Sequence, residues 1–160
     1  MSLWVLDTDI SSLLLRGDAG VAQHVGVKSS DELALTIITV EELLSGWYAR
    51  IRQAQTDESL ARAYVALQQS VEFASRVNLL LFDRAAITRF HQLRRVHRRM
   101  GTNDLRIAAI TLENDATLVT RNTSDFSLIQ VCALRTGLPE ERTSTASVIR
   151  RDWTSRKIGI

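Results

Sequence analysis

One cysteine, one proline and two lysines in 160 residues set the first limits on this chain. Cys132 alone can form neither an intramolecular disulfide nor a thiolate metal cluster, which excludes a cystine-stapled scaffold and fits a reducing compartment. The single proline, with 45% hydrophobic residues, argues against a disordered or linker-rich chain. Long apolar runs are missing too. None approaches the ~20 residues of a membrane span, and the N-terminal run Leu3 to Leu6 is too short for an export signal and ends at Asp7. The expected protein is soluble and cytoplasmic, with no membrane association. Lys28 and Lys157 are the only lysines, so chemistry that needs a lysine between them is disfavoured.

What is present is enough for one domain. A chain of this length buries roughly two-thirds of its unfolded surface, and no internal repeat divides it. The formal charge is only +2, but the basic residues are almost all arginine.

The apolar run Leu3 to Leu6 reads as a buried strand, and it ends in two carboxylates, Asp7 and Asp9. A helix is expected from Ser11-Ser12 to about Arg16, with Asp9 as the candidate cap, and a further short helix over Ala19 to Val27. Leu33 to Ile38 is apolar on both faces, as a covered parallel strand should be. It too runs into acid, at Thr39-Val40-Glu41-Glu42. That spacing is also a capping box, in which Glu42 would close the first turn of the next helix. Helical periodicity continues to about Phe73, with a break near Gln55 to Glu58. Leu60, Tyr64, Leu67 and Val71 form one apolar face, and both this face and Trp47 with Tyr48 are expected to pack internally.

A third strand is expected at Asn78 to Phe82, followed by a helix capped by Asp83 and running to about Met100. Its polar side carries Arg94, Arg95, Arg98 and Arg99. Such a patch is either an ordinary solvated face or a contact for phosphate oxygens, which guanidinium forks bind in pairs. Asp104 then opens a helix so apolar that it must be buried, and there a first-turn Asp is explained by the helix dipole alone. A fourth strand, Thr117 to Thr120, leads to a polar turn holding Arg121, Asn122 and Asp125.

Each acid alone has a structural explanation, but Asp7, Glu42, Asp104 and Asp125 are all expected where a parallel α/β sheet turns from strand into loop or helix, so a single sheet edge would gather them. Carboxylates gathered there repel one another and call for cations. Without histidine or cysteine clusters, oxygen-only ligation indicates a hard ion, Mg2+ or Mn2+.

Four stretches now carry a resemblance: Leu6 to Asp9, Thr39 to Gly46, Gly101 to Ala109, and Leu118 to Phe126. In this order and spacing they resemble the PIN-domain ribonucleases of the VapC toxin type. The resemblance implies a three-layer α/β/α domain with a mainly parallel central sheet. It also implies a Mg2+-dependent endoribonuclease, with Mn2+ as a substitute, that hydrolyses RNA phosphodiesters with metal-activated water. Such a protein is the toxin of a toxin–antitoxin pair, forms a homodimer and is neutralised by a VapB-like antitoxin. Asp7, Asp104 and Glu42 would hold metal, and Asp125, or Asn122 in its place, would fill the fourth acidic position. Asp9, Thr120 and Asn122 would support them, while Arg94, Arg95, Arg98, Arg99 and Arg121 would hold the RNA backbone.

Two alternatives remain open. A PIN-like module that only binds RNA or protein would carry substitutions at Asp7 or Asp104, and both acids are present. A haloacid-dehalogenase-type phosphatase also opens on a strand ending in Asp-x-Asp, but it needs a lysine, or sometimes an arginine, aimed at the phosphoryl group. Residues 1–130 are expected to form the nuclease domain. Residues 131–160 are either an atypical segment of that domain, with a late strand near Val148-Ile149, or a tail. There the chain departs from the family, since Ser127 to Ile149 precede the Trp153 that normally follows sooner.

Overall fold

The structure is a computed structural model and describes residues 3–127, Ile129 and residues 133–135. Among these, five strands, β1 (Trp4–Leu6), β2 (Leu33–Thr36), β3 (Asn78–Leu80), β4 (Thr117–Val119) and β5 (Ala133–Arg135), form one sheet. The helices are α1 (Thr8–Leu15), α2 (Ala19–Val25), α3 (Ile37–Gln53), α4 (Asp57–Arg76), α5 (Arg84–Val96), α6 (Thr102–Glu113) and the single turn α7 (Thr123–Phe126).

The strand order is β3-β2-β1-β4-β5, with every neighbouring pair parallel. The chain lays β2 and β3 on one side of β1, then returns to place β4 on the other, so the topological switch point lies between β1 and β4. Leu6 is level with Leu35 on one side and Val119 on the other. The next residues, Asp7, Thr36 and Thr120, therefore stand side by side at the carboxyl end of the sheet.

Alternation along the strands builds two cores. Val5, Ala34 and Leu118 face α5 and α6, joining Ala86, Leu105, Ala108 and Phe126. Leu6, Leu33, Leu35 and Val119 face the other way, against Ile10, Val21, Val25 and Phe73. A parallel strand buried on both faces must be apolar throughout, and β2 is buried at all four positions. This is the three-layer α/β/α architecture expected from the sequence.

Several boundaries differ from expectation, each for a local reason. β2 stops at Thr36, because the Thr36 side chain accepts the N–H of Thr39 at 3.0 Å and caps α3 there; Ile37 and Ile38 begin the helix rather than finish the strand. α1 starts at Thr8 with Asp7, not Asp9, as its cap. α5 ends at Val96, with His97 closing it, so Arg98 and Arg99 lie in the turn beyond. The face Leu60, Tyr64, Val71 of α4 is exposed rather than packed: the helix instead buries Ala63, Ser70 and Phe73. Its 20 residues span roughly 30 Å, more than the short strands beneath can cover. Trp47 is half-buried and donates its indole N–H to Ser70 Oγ at 2.9 Å, whereas Tyr48 is exposed.

β5 adds a strand beyond residue 130, paired with β4. The strand considered near Val148-Ile149, and Trp153, lie outside the described residues. No helix among the described residues is long and apolar enough to cross a membrane.

Candidate active site

Three helix N-termini converge at the carboxyl end of β1, and each brings an acid. Asp7 leaves β1 as the cap of α1, its carboxylate accepting the N–H of Ile10 at 2.7 Å. Glu42 projects from the second turn of α3. Because Thr36 already caps that helix, Glu42 closes no capping box and its carboxylate turns outward from its own helix. Asp104 lies in the first turn of α6. This helix runs back against the strands, so its N-terminus, not a strand end, delivers the acid. Gly101 caps α6 without any side-chain hydrogen bond, so Asp104 is not spent on capping. A Cβ at Gly101 would stand 3.0 Å from Asp104 Oδ2, and the glycine leaves that space to the carboxylate.

The turn after β4 completes the group. Thr120, fully buried, hydrogen-bonds the Asp7 side chain and accepts the N–H of Asn122 at 3.0 Å. Asn122 in turn donates to Asp125 Oδ2 at 2.9 Å, so the two candidates for the fourth acidic position are joined in one turn.

The acids act on one another through their charges. Burial pushes the Asp7 carboxyl above its ordinary value despite the bonds from Thr120 and Ile10, and the charges of Asp9 and Asp104 push it further. Asp104 is raised by burial, then by the charges of Glu42 and Asp125. Among the described residues no arginine or lysine pairs with any of the four acids.

An all-oxygen group of repelling carboxylates at three helix N-termini suits a hard divalent cation. Among the described residues no three Asp, Glu, His or Cys side chains stand together closely enough to hold an ion between them. Mg2+ does not require three, since it is usually held by one or two carboxylates and keeps several waters. The donor set therefore fits Mg2+ or Mn2+ bound chiefly by carboxylates of this group.

The remaining sequence candidates separate. Asp9 is exposed on the first turn of α1, and its Oδ2 faces Arg121 Nη1 at 3.7 Å; it stands at the rim and caps nothing. Arg94 donates to the Met100 carbonyl at 3.0 Å and so braces the turn into α6. Arg95, Arg98 and Arg99 are exposed on the approach to that helix.

Three residues of the site are not marked by sequence pattern as site residues. Thr8 donates to Glu42 Oε2. Asn103 donates to Glu42 Oε1 at 2.8 Å, and Arg106 Nη1 donates to Asn103 Oδ1 at 3.0 Å. Thr8 between two acids and Asn103 beside Asp104 were signals by adjacency; nothing in the pattern marked Arg106.

A family model described as PIN domain matches residues 4–131. The chain belongs to the PIN-domain family. Among curated proteins none matches. Several solved structures share the fold. DNA-bound VapBC from Salmonella typhimurium matches with a TM-score of 0.68 at 21% identity, covering 84% of this chain and 98% of that one. FitAcB from Neisseria gonorrhoeae matches with a TM-score of 0.69 at 24% identity, covering 84% and 98%. VapC20 from Mycobacterium tuberculosis, a sarcin–ricin-loop-cleaving toxin, matches with a TM-score of 0.55 at 19% identity, covering 83% and 99%. At these identities the likeness establishes the shared PIN fold.

Proposed function

We propose that this PIN domain is a Mg2+-dependent endoribonuclease, with Mn2+ able to substitute, and the toxin of a toxin–antitoxin pair. The observation that carries the reading is the unneutralised meeting of Asp7 and Asp104 at the β1/β4 switch point, with Glu42 and Asp125 beside them. Asp7, Asp104 and Glu42 are the residues that would hold the cation, with Asp125 as the fourth acid. When bound, the cation supplies the charge that activates a water and steadies the leaving oxygen of a phosphodiester.

The protein's own groups do the rest. Thr120 and the Ile10 amide hold Asp7 in one orientation, while Thr8 and Asn103 hold Glu42. Arg95, Arg98, Arg99 and Arg121 offer guanidinium groups to the RNA backbone around an otherwise negative centre. The likeness to VapBC complexes supports a cognate VapB-like antitoxin as partner, and a homodimer in the cytoplasm is part of the same reading.

The phosphatase alternative loses support from the position of Asp9. A second acid serving the same centre would have to face it, whereas Asp9 is exposed and turned to Arg121. The test is incubation of the purified chain with total RNA. Cleavage at defined sites in Mg2+, stopped by chelator, is expected. Stoichiometric RNA binding with no cleavage in Mg2+ or Mn2+ would establish the silent module instead.

A further inference from the structure

Glu42 has a long, flexible side chain, yet both its oxygens are engaged: Oε2 by Thr8, Oε1 by Asn103. An asparagine amide can face a carboxylate with its NH2 or its carbonyl, and only the first attracts. Arg106 settles the choice. Its guanidinium donates and never accepts, so Nη1 holds Asn103 Oδ1 and leaves the NH2 facing Glu42.

Arg106 is itself placed by two rings. Its guanidinium carbon lies 5.9 Å from the Phe82 centroid and 5.7 Å from the Phe90 centroid, and the two rings meet edge to face at 81°. Among the described residues it forms no ion pair, and its buried Nε has no hydrogen-bond partner. A half-buried cation held by aromatic faces keeps its charge directed at the asparagine rather than spending it on a carboxylate of its own.

We propose that Arg106 and Asn103 form a positioning relay, in which Phe82 and Phe90 hold Arg106, Arg106 orients the Asn103 amide, and the amide fixes the Glu42 carboxylate for cation binding. The last step rests on the proposed role of Glu42; the relay itself is a property of the metal-free protein. Asn103 and Arg106 are positioning residues that touch neither substrate nor metal. The relay ties α5, α6 and α3 to one carboxylate, so a change at Arg106 is felt at Glu42 only through Asn103.

The experiment is a double-mutant cycle of Asn103→Ala and Arg106→Met, read in two ways. Methionine keeps the stem between the rings but removes the fork, and Asn103→Ala cuts the same link without touching the rings, so either variant serves if the other fails to fold. In RNA-free protein, Mn2+ binding followed by electron paramagnetic resonance should weaken about 10-fold in each single variant, as when a group that orients a metal ligand is removed. The double variant should be no weaker than Asn103→Ala. In metal-free wild-type protein, the side-chain amide signals of Asn103 in a 15N-correlation spectrum should move on Arg106→Met and on Glu42→Gln. Unchanged Mn2+ affinity in Arg106→Met, or losses that multiply in the double variant, would overturn the relay. If wild-type protein binds no Mn2+, the nuclease reading fails, and the amide signals alone decide: movement upholds the relay and constancy overturns it.

Discussion

The Asp7 carboxylate accepts the backbone N–H of Ile10 at 2.7 Å while the residue is only 6% exposed, so the acid that ends β1 is also the cap of α1. Capping favours the charged form, but burial works against it and prevails, with the charges of Asp9 and Asp104 adding to the upward push. Asp104 is raised by burial and by Glu42 and Asp125. In the folded, cation-free protein both acids hold protons at pH values where the unfolded chain has released them. Their contribution to stability is fully present below the ordinary carboxylate value of 3.8 and is lost as pH rises through the raised folded values. Melting temperatures in chelator across roughly pH 4 to 8 should therefore fall more steeply with pH in wild type than in Asp7→Asn or Asp104→Asn. Added Mg2+ should restore wild type selectively. Equal pH slopes in all three proteins would contradict this.

Removing one of the repelling charges should also stabilise the cation-free protein at neutral pH. Asparagine keeps an oxygen for the Ile10 amide, so the cap survives. For a chain of this size each 1 kcal/mol gained raises the melting temperature by about 2–4 °C, and Asp7→Asn in chelator is expected to rise by about that much. A fall would mean that the cap needs the full charge.

Thr36 is fully buried and caps α3, receiving the Thr39 N–H and sharing a 3.0 Å hydrogen bond with the Thr39 hydroxyl. Thr36→Ala should lower stability by about 1–2 kcal/mol, measured by urea unfolding. The same change should weaken catalysis, because α3 carries Glu42.

The arginines divide into two roles. Arg94→Ala should lower the melting temperature by loosening the turn held at the Met100 carbonyl. Arg95→Ala, Arg98→Ala and Arg99→Ala, all exposed, should leave stability unchanged and weaken RNA binding. Each arginine–phosphate pair removed should reduce the slope of log K against log salt by roughly 0.7 to 0.9. Salt-dependent binding to labelled RNA distinguishes the two groups.

Asp9 should matter little. Its pair with Arg121 is half-exposed and 3.7 Å long, and such pairs contribute about 0–1 kcal/mol. Asp9→Ala is expected to cleave RNA within a few-fold of wild type; a loss as deep as that of Asp7→Asn would place Asp9 at the centre.

The layers and the parallel sheet follow from residues visible in the sequence, since doubly apolar strands, each leading into a helix, leave few arrangements other than a covered parallel sheet; the strand order β3-β2-β1-β4-β5 does not, because apolar strands carry no mark of their neighbours. Of the acids, Asp7 alone stands directly at a strand end, where an apolar run stopping in a carboxylate marks it; Glu42 and Asp104 ride on helices, and their approach to Asp7 depends on how α3 and α6 pack. What was not legible depended on competition between near-equivalent caps. The Thr36 cap was hidden because Ile37-Ile38, an apolar β-branched pair, reads as strand although it opens α3; the structure shows Thr36 receiving the Thr39 N–H instead. Asp7 won over Asp9 because α1 begins without a loop. Arg106 was invisible, since its meaning lies in Phe82 and Phe90, which adjoin it only through the packing of α5 on α6. The exposed stripe of α4 was not foreseen because periodicity marks an apolar face without saying whether anything covers it.

The most direct test of the central claim is the single-turnover rate of RNA cleavage in Mg2+ by wild-type protein and by Asp7→Asn and Asp104→Asn, each checked for native circular dichroism. Wild type should cleave, and each variant should lose about 100-fold or more, as when one fixed electrostatic group is removed from a reacting centre. Folded Asp7→Asn or Asp104→Asn protein that cleaves RNA at the wild-type rate would contradict it.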